Sequence, residues 1–497
     1  MLRCYTAVKH SAIKFTTLLF FFGFINLLTA QSQHPSFEPL FIFNEKSPVY
    51  TADEIFELGL LLSECEKGSE TWNRCNQKFK AIKKEVTSSA MKNLSDEEKG
   101  KAILKYLYED YLKTYSSLQT KLDVAFETGF YNCVSSAVLY MAAAKAAGLD
   151  VRGQKTTQHA FCSIYVPGVK EGQLKKIDVE TTNPYGFNPG SKEEVEFEDQ
   201  IKAYYVVPKK YYSNRKEVND GIFAGLIAGN LTSIYIKTGD YQKALPLGAA
   251  RWEIVKSEPE KSVAFVRNDF DILAANYVNL LPYSVPEFLS KFEWFISFIE
   301  RWGNTDFLQK NLDNSFVNLL IVSSQERNYE LTMDIYEKYK DKVSVSQIAK
   351  VEEIIADTII FKATTGLSTE EKITEINSLI SSEELAIPAR RKRAELHLES
   401  YWLEHLNIFM NNRDYETGYE SAILAVSQLP KSSKIKTMQN GFFKNIIVTI
   451  HNQFVKEANA RNFDAAQKIL EEGLKKYPDN KSLKKDLMDL QKVMDNQ

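Results

Sequence analysis

The residues whose types and spacing suit chemistry in this chain are Cys133, His159 and Asp178. Cys133 opens an apolar helix in YNCVSSAVLY, His159 begins an alternating segment in QHAFCSIY, and Asp178 lies within KKIDVETTNPYG. A cysteine becomes a nucleophile when its thiolate is stabilised. Asn132 is a good N-cap, which makes Cys133 the first helical residue. At that position the free N–H groups and the helix dipole favour negative charge. A histidine on a facing strand forms an ion pair with such a thiolate, and an acid on the next strand holds the imidazole in its useful tautomer. The Cys133 N–H supplies one oxyanion donor. For a second, the upstream polar side chains are Gln119, Thr120 and Tyr131.

Period-two alternation sorts the flanking residues. His159, Phe161, Ser163 and Tyr165 share one face of their strand, with Ala160, Cys162, Ile164 and Val166 on the other. Asp178 and Glu180 share a face, leaving Ile177 and Val179 for the core. Asp178, between apolar neighbours, is the expected orienter, and Glu180 is its rival.

These residues need a scaffold to position them. The helix after Cys133 is Ala-rich and stops at Gly148. HAFCSIYV, LKKIDVE and AYYVVP (203–208) read as three short strands around a Pro167-Gly168 turn. Upstream, Thr51-Ala-Asp-Glu54 and Ser95-Asp-Glu-Glu98 are capping boxes that open helices. The local expectation is an α+β unit over residues 95–214, preceded by a helical segment over 31–94.

The segments NCVSSAVLYMAAAKAAGLDV, HAFCSIYV and IDVETTNPYG resemble the transglutaminase-like superfamily, a branch of the papain-like cysteine fold. The match is Asn-Cys before an apolar helix, Gly-Leu after it, a histidine starting a strand, and an aspartate followed shortly by threonine. The resemblance covers roughly Ser95 to Pro208, about a quarter of the chain. It implies nucleophile Cys133, base His159 and orienting Asp178 on a papain-like α+β core. It also implies thiol hydrolysis or acyl transfer on a peptide or protein amide, with no cofactor. Bacterial members commonly do this chemistry.

From about Arg215 the β signals stop. Asn230–Ala244 carries an apolar helix, a Gly-Asp turn, an aromatic and an alanine, similar to the tetratricopeptide repeat, a helix–turn–helix unit of about 34 residues. The segments from Glu326, ending at Pro430 and ending at Pro478 repeat the pattern, irregularly spaced. Residues 215–497 are therefore expected to form a C-terminal all-α solenoid whose concave surface takes a protein partner.

The whole chain fits this organisation. Its 497 residues are 44% hydrophobic and 26% charged, ordinary globular values. A net charge of -3 argues against nucleic acid as a partner, and Arg390–Arg393 reads as a solvated helix face. Arg3, Lys9 and Lys14 precede the apolar run Phe15–Ala30, the pattern of a signal peptide over residues 1–30. The expectation is a periplasmic or secreted protein, with a membrane anchor as the alternative if the run is not cleaved. Cys65 and Cys75 sit at a helix junction and form either a disulfide or two buried thiols. A zinc site of Cys133, His159 and Cys162 fails because His-x-x-Cys along one strand points its side chains to opposite faces, so no metal is expected. His397, His405 and His451 lie on solenoid helices and are read as without chemistry. The competing functional reading is an inactive scaffold that binds peptides through the solenoid.

Overall fold

A computed structural model describes residues 34–43, 49–170, 172–189, 214–280 and 284–495. The expected signal peptide and the expected strand at 203–208 lie outside the described residues. The N-terminal part contains α1 (Ala52–Leu62), α2 (Glu70–Val86), α3 (Ser89–Lys92), α4 (Asp96–Asp110), β1 (Thr114–Tyr115), α5 (Leu122–Thr128), β2 (Phe130–Tyr131) and α6 (Cys133–Ala146). Then come β3 (Asp150–Lys155), β4 (Ala160–Pro167), β5 (Leu174–Val179), β6 (Lys216–Val218) and α7 (Asp220–Ala224). Thr51 and Ser95 each close a full capping box, which fixes where α1 and α4 begin.

The α+β papain-like core expected from the sequence is not the architecture. The molecule is 71% helical and 7% strand, with small sheets only, and is mostly all-α. The physical reason is the extent of the two periodicities. Among the described residues the larger sheet has four strands, in the order β5-β4-β3-β6, with antiparallel neighbours and strands of at most eight residues. Helical patterning occupies most of the remaining chain. The helical C-terminal region agrees with the expectation.

The sheet rests on α6, whose residues from Val134 to Ala144 are all buried. Its alanines and serines let neighbouring elements approach from every side, so no polar face is left. One hydrophobic core runs continuously from Tyr50 to Val266, across positions 94 and 214, and includes α1, α2, α4, α6 and the inward residues Cys162, Ile164, Ile177 and Val179.

Helix hairpins follow: α8 (Leu226–Thr238), α9 (Tyr241–Val255), α10 (Glu260–Val278), α11 (Val285–Trp302), α12 (Asp306–Gln325), α13 (Tyr329–Tyr339), α14 (Val345–Thr364) and α15 (Thr369–Ile380). The array ends with α16 (Pro388–Asn412), α17 (Tyr415–Gln428), α18 (Ser433–Asn459), α19 (Phe463–Lys476) and α20 (Lys481–Asp495). Three further core clusters succeed one another along it, so each hairpin buries its apolar face against its neighbours.

The four segments with a shared sequence pattern share one turn. Gly239, Arg327, Arg413 and Arg461 adopt left-handed backbone with φ of 75°, 57°, 59° and 63°. Each is followed by an Asp or Asn N-cap and then an aromatic residue opening the next helix.

Candidate active site

Asn132 carries the site's first element. Its side-chain oxygen accepts from the N–H groups of Val134 (2.9 Å) and Ser135 (3.1 Å). Ser135 Oγ accepts in return from the Asn132 N–H at 3.0 Å. The cap thus occupies the second and third helical N–H groups and leaves Cys133, half-buried, at the positive end of α6.

His159 stands at the entrance to β4, held by the turn in which Thr156 N–H donates to its carbonyl at 2.8 Å. Its ring is held through Nε2, which meets Glu180 Oε2 at 2.7 Å, and Cys133 is a neighbour that interacts with it. Burial of the ring lowers its pKa, but the hydrogen bonds to Cys133 and Glu180 and their charges outweigh burial and raise it from 6.5 to about 9. Phe161 stacks beside the imidazole with centroids 6.1 Å apart.

The carboxylate bonded to His159 is Glu180, whereas the sequence pointed first to Asp178. Antiparallel register pairs Cys162 with Val179 and Ser163 with Asp178. Asp178 is therefore opposite Ser163, whose hydroxyl donates to it at 2.8 Å, and its other oxygen pairs with Arg215. Continuing the register brings Glu180 to the strand end nearest His159. Glu180 Oε1 is fixed in turn by the Thr182 N–H (3.0 Å) and hydroxyl (2.6 Å). Gly186 closes the loop behind it: a Cβ there would fall 2.0 Å from the Glu180 carbonyl oxygen. The sequence named both acids; the register that separates them has no local signal.

The loop after Glu180 is tied to α6 and its surroundings. Ser136 Oγ lies 3.1 Å from Thr181 Oγ1, and the Tyr108 hydroxyl donates to the Thr181 carbonyl at 2.8 Å. Of the upstream polar side chains, Tyr131 is buried with its hydroxyl 3.4 Å from the Thr182 carbonyl. Thr120 Oγ1 accepts from Asn230 at 3.1 Å. Gln119 accepts a hydrogen bond from Ser135 Oγ on its main-chain oxygen at 3.3 Å, while its buried Nε2 has no hydrogen-bond partner. An unpaired buried donor of this kind is costly unless something else meets it.

Cys162 faces the opposite way from His159 and donates its thiol to the Ala137 carbonyl at 3.3 Å. Burial pushes its pKa well up. Among the described residues no cluster of His, Cys, Asp and Glu is arranged to hold a metal ion. Cys65 and Cys75 are both free and buried, and burial pushes the Cys75 thiol up to about 12. No described helix is long and apolar enough to cross a membrane.

No protein-family model matches this chain. No curated protein shows significant similarity to it.

Proposed function

We propose that the protein is a thiol enzyme acting on peptide or protein amides, with Cys133 as nucleophile, His159 as general base and acid, and Glu180 as the group that orients His159. The observation that carries this reading is His159 itself: a buried imidazole bonded to an anchored carboxylate, with a helix-starting cysteine as its neighbour. The kinship with transglutaminase-like enzymes enters through this chemistry and not through the fold.

The imidazolium and the α6 terminus stabilise the Cys133 thiolate. Sulfur attacks the amide carbonyl, and the oxyanion forms beside the Cys133 N–H; the buried, unpartnered Gln119 Nε2 is the candidate for a second donor. His159 gives its proton to the departing amine and a thioester remains. Water, deprotonated by His159, completes hydrolysis; a second amine in its place completes transfer. Glu180 keeps the ring aligned through both proton transfers.

The test is labelling of the purified protein with a thiol-directed affinity probe at neutral pH, followed by mapping of the adduct. Cys133 should react far faster than a free thiol, and His159→Ala should slow it roughly hundredfold. Labelling at the free-thiol rate, unchanged by His159→Ala, would favour the inactive scaffold.

A further inference from the structure

Residues 34–43, HPSFEPLFIF, run from the helix hairpins, where Phe37 packs, to the N-terminal core, where Phe41 and Phe43 pack. Burial alternates along it. Pro35, Phe37, Pro39, Phe41 and Phe43 turn inward, while Ser36, Glu38, Leu40 and Ile42 are exposed. That is the pattern of a peptide lying in a groove.

The groove is α11 with parts of α9 and α10. Trp294 Nε1 donates to the Pro35 carbonyl at 2.9 Å, and Trp302 Nε1 donates to the Phe37 carbonyl at 3.2 Å. Two main-chain carbonyls two residues apart are thus read by two indoles on one helix face. The Phe37 ring packs edge-on against Trp294 and Phe298, at 5.6 and 5.8 Å between centroids. The Glu38 carboxylate meets Arg301 through two bonds of 3.1 Å. Each His34 ring nitrogen has a partner, the Tyr277 hydroxyl at 2.7 Å and Ser290 Oγ at 2.6 Å. Leu40 N–H donates to the Pro246 carbonyl of α9 at 2.9 Å.

Ordinary packing needs only apolar contact. Here backbone carbonyls, an aromatic side chain and the acid next to it are each matched by a separate group, as in peptide recognition.

We infer that the α10–α11 face, with the adjoining part of α9, is a peptide-recognition groove whose resident ligand is the chain's own His34–Leu40 segment. An incoming partner segment must present the same chemistry: extended backbone, an aromatic residue and an adjacent carboxylate between prolines. The tethered segment holds the groove at high effective concentration, so the resting protein is closed to such partners. This site stands apart from the Cys133 chemistry and does not depend on it.

The test uses the full chain and a fluorescent synthetic peptide of residues 34–43. Glu38→Arg places like charge against Arg301 at an exposed position, which loosens the tethered segment without touching a core. That variant should bind the peptide at least tenfold more tightly than the unaltered chain does. Adding Arg301→Glu to Glu38→Arg restores the internal charge pair and opposes the peptide's own acid, so binding should be lost again. A peptide carrying Phe37→Ala should bind at least tenfold more weakly to the Glu38→Arg chain. Equal binding by the unaltered and Glu38→Arg chains would overturn the inference. So would no binding by a Glu38→Arg chain whose circular dichroism matches that of the unaltered protein.

Discussion

Two histidine–carboxylate pairs in this molecule have nearly the same length and opposite surroundings. His159 Nε2 lies 2.7 Å from Glu180, with side chains only 3% and 5% exposed. His397 Nε2 lies 2.6 Å from Asp357 on the helix array, at 17% and 21%. Asp357 also takes a two-point contact from Arg393, so its charge is already matched. Burial raises the Asp357 pKa, but the bonds to His397 and Arg393 outweigh it and hold the carboxyl below its usual value. The His397 ring lies edge-on to Phe361, with Tyr401 beside it. His159 instead has Cys133 as a neighbour, and Glu180 is held by Thr182. The pair alone is therefore no mark of an active site. What else stands beside the imidazole, and which groups hold its acid, separates a structural clasp from a site suited to catalysis.

The sharpest way to break this comparison is to remove each acid. Glu180→Gln should slow probe labelling of Cys133 roughly hundredfold, while Asp178→Asn and His397→Ala should leave the rate within about twofold. A large loss in Asp178→Asn, with Glu180→Gln unaffected, would return the orienting role to Asp178.

The second test is pH. His159 has a folded pKa raised to about 9 against 6.5 unfolded, so its support for folding is complete below pH 6.5. That support declines as pH rises through about 9. The ratio of labelling rates for wild type and His159→Ala should stay high through neutral pH and fall toward unity above pH 9. A ratio independent of pH would mean that no imidazolium stands beside the sulfur.

A smaller effect is expected at Gly186. Alanine there forces the Glu180 backbone aside, at a cost of about 1–3 kcal/mol in stability by overpacking. Labelling of Cys133 should slow severalfold, whereas an equal stability loss placed in α19 by Leu470→Ala should leave labelling unchanged. Urea unfolding and the labelling rate together check this.

The smallest effect belongs to the array. Arg413 adopts φ of 59°, a conformation that costs an L side chain about 1 kcal/mol. Arg413→Gly should stabilise the protein by about that amount, read as a higher urea midpoint with no change at Cys133.

The local features of this chain were legible in its sequence. Thr51, Ser95 and Asn132 cap the helices where their types predict, because a cap needs partners only two or three residues away. The turn of Gly or Arg, Asp or Asn, and an aromatic marks four helix hairpins for the same reason. Parity placed His159 and both acids on one face of the sheet. The balance of architecture was not legible: a few alternating segments near a conspicuous cysteine suggested an α+β papain-like core, where the molecule is mostly helical.

The sequence by itself therefore determined the helix starts, the helix array and the short list of Cys133, His159, Asp178 and Glu180. Tertiary structure decided among them. The pairing of Cys162 with Val179 sends Asp178 to Ser163 and Arg215 and leaves Glu180 for His159, and a shift of two residues would reverse the choice. Such a register is set by long-range burial of Cys162, Ile164, Ile177 and Val179 against α6, which no residue encodes alone.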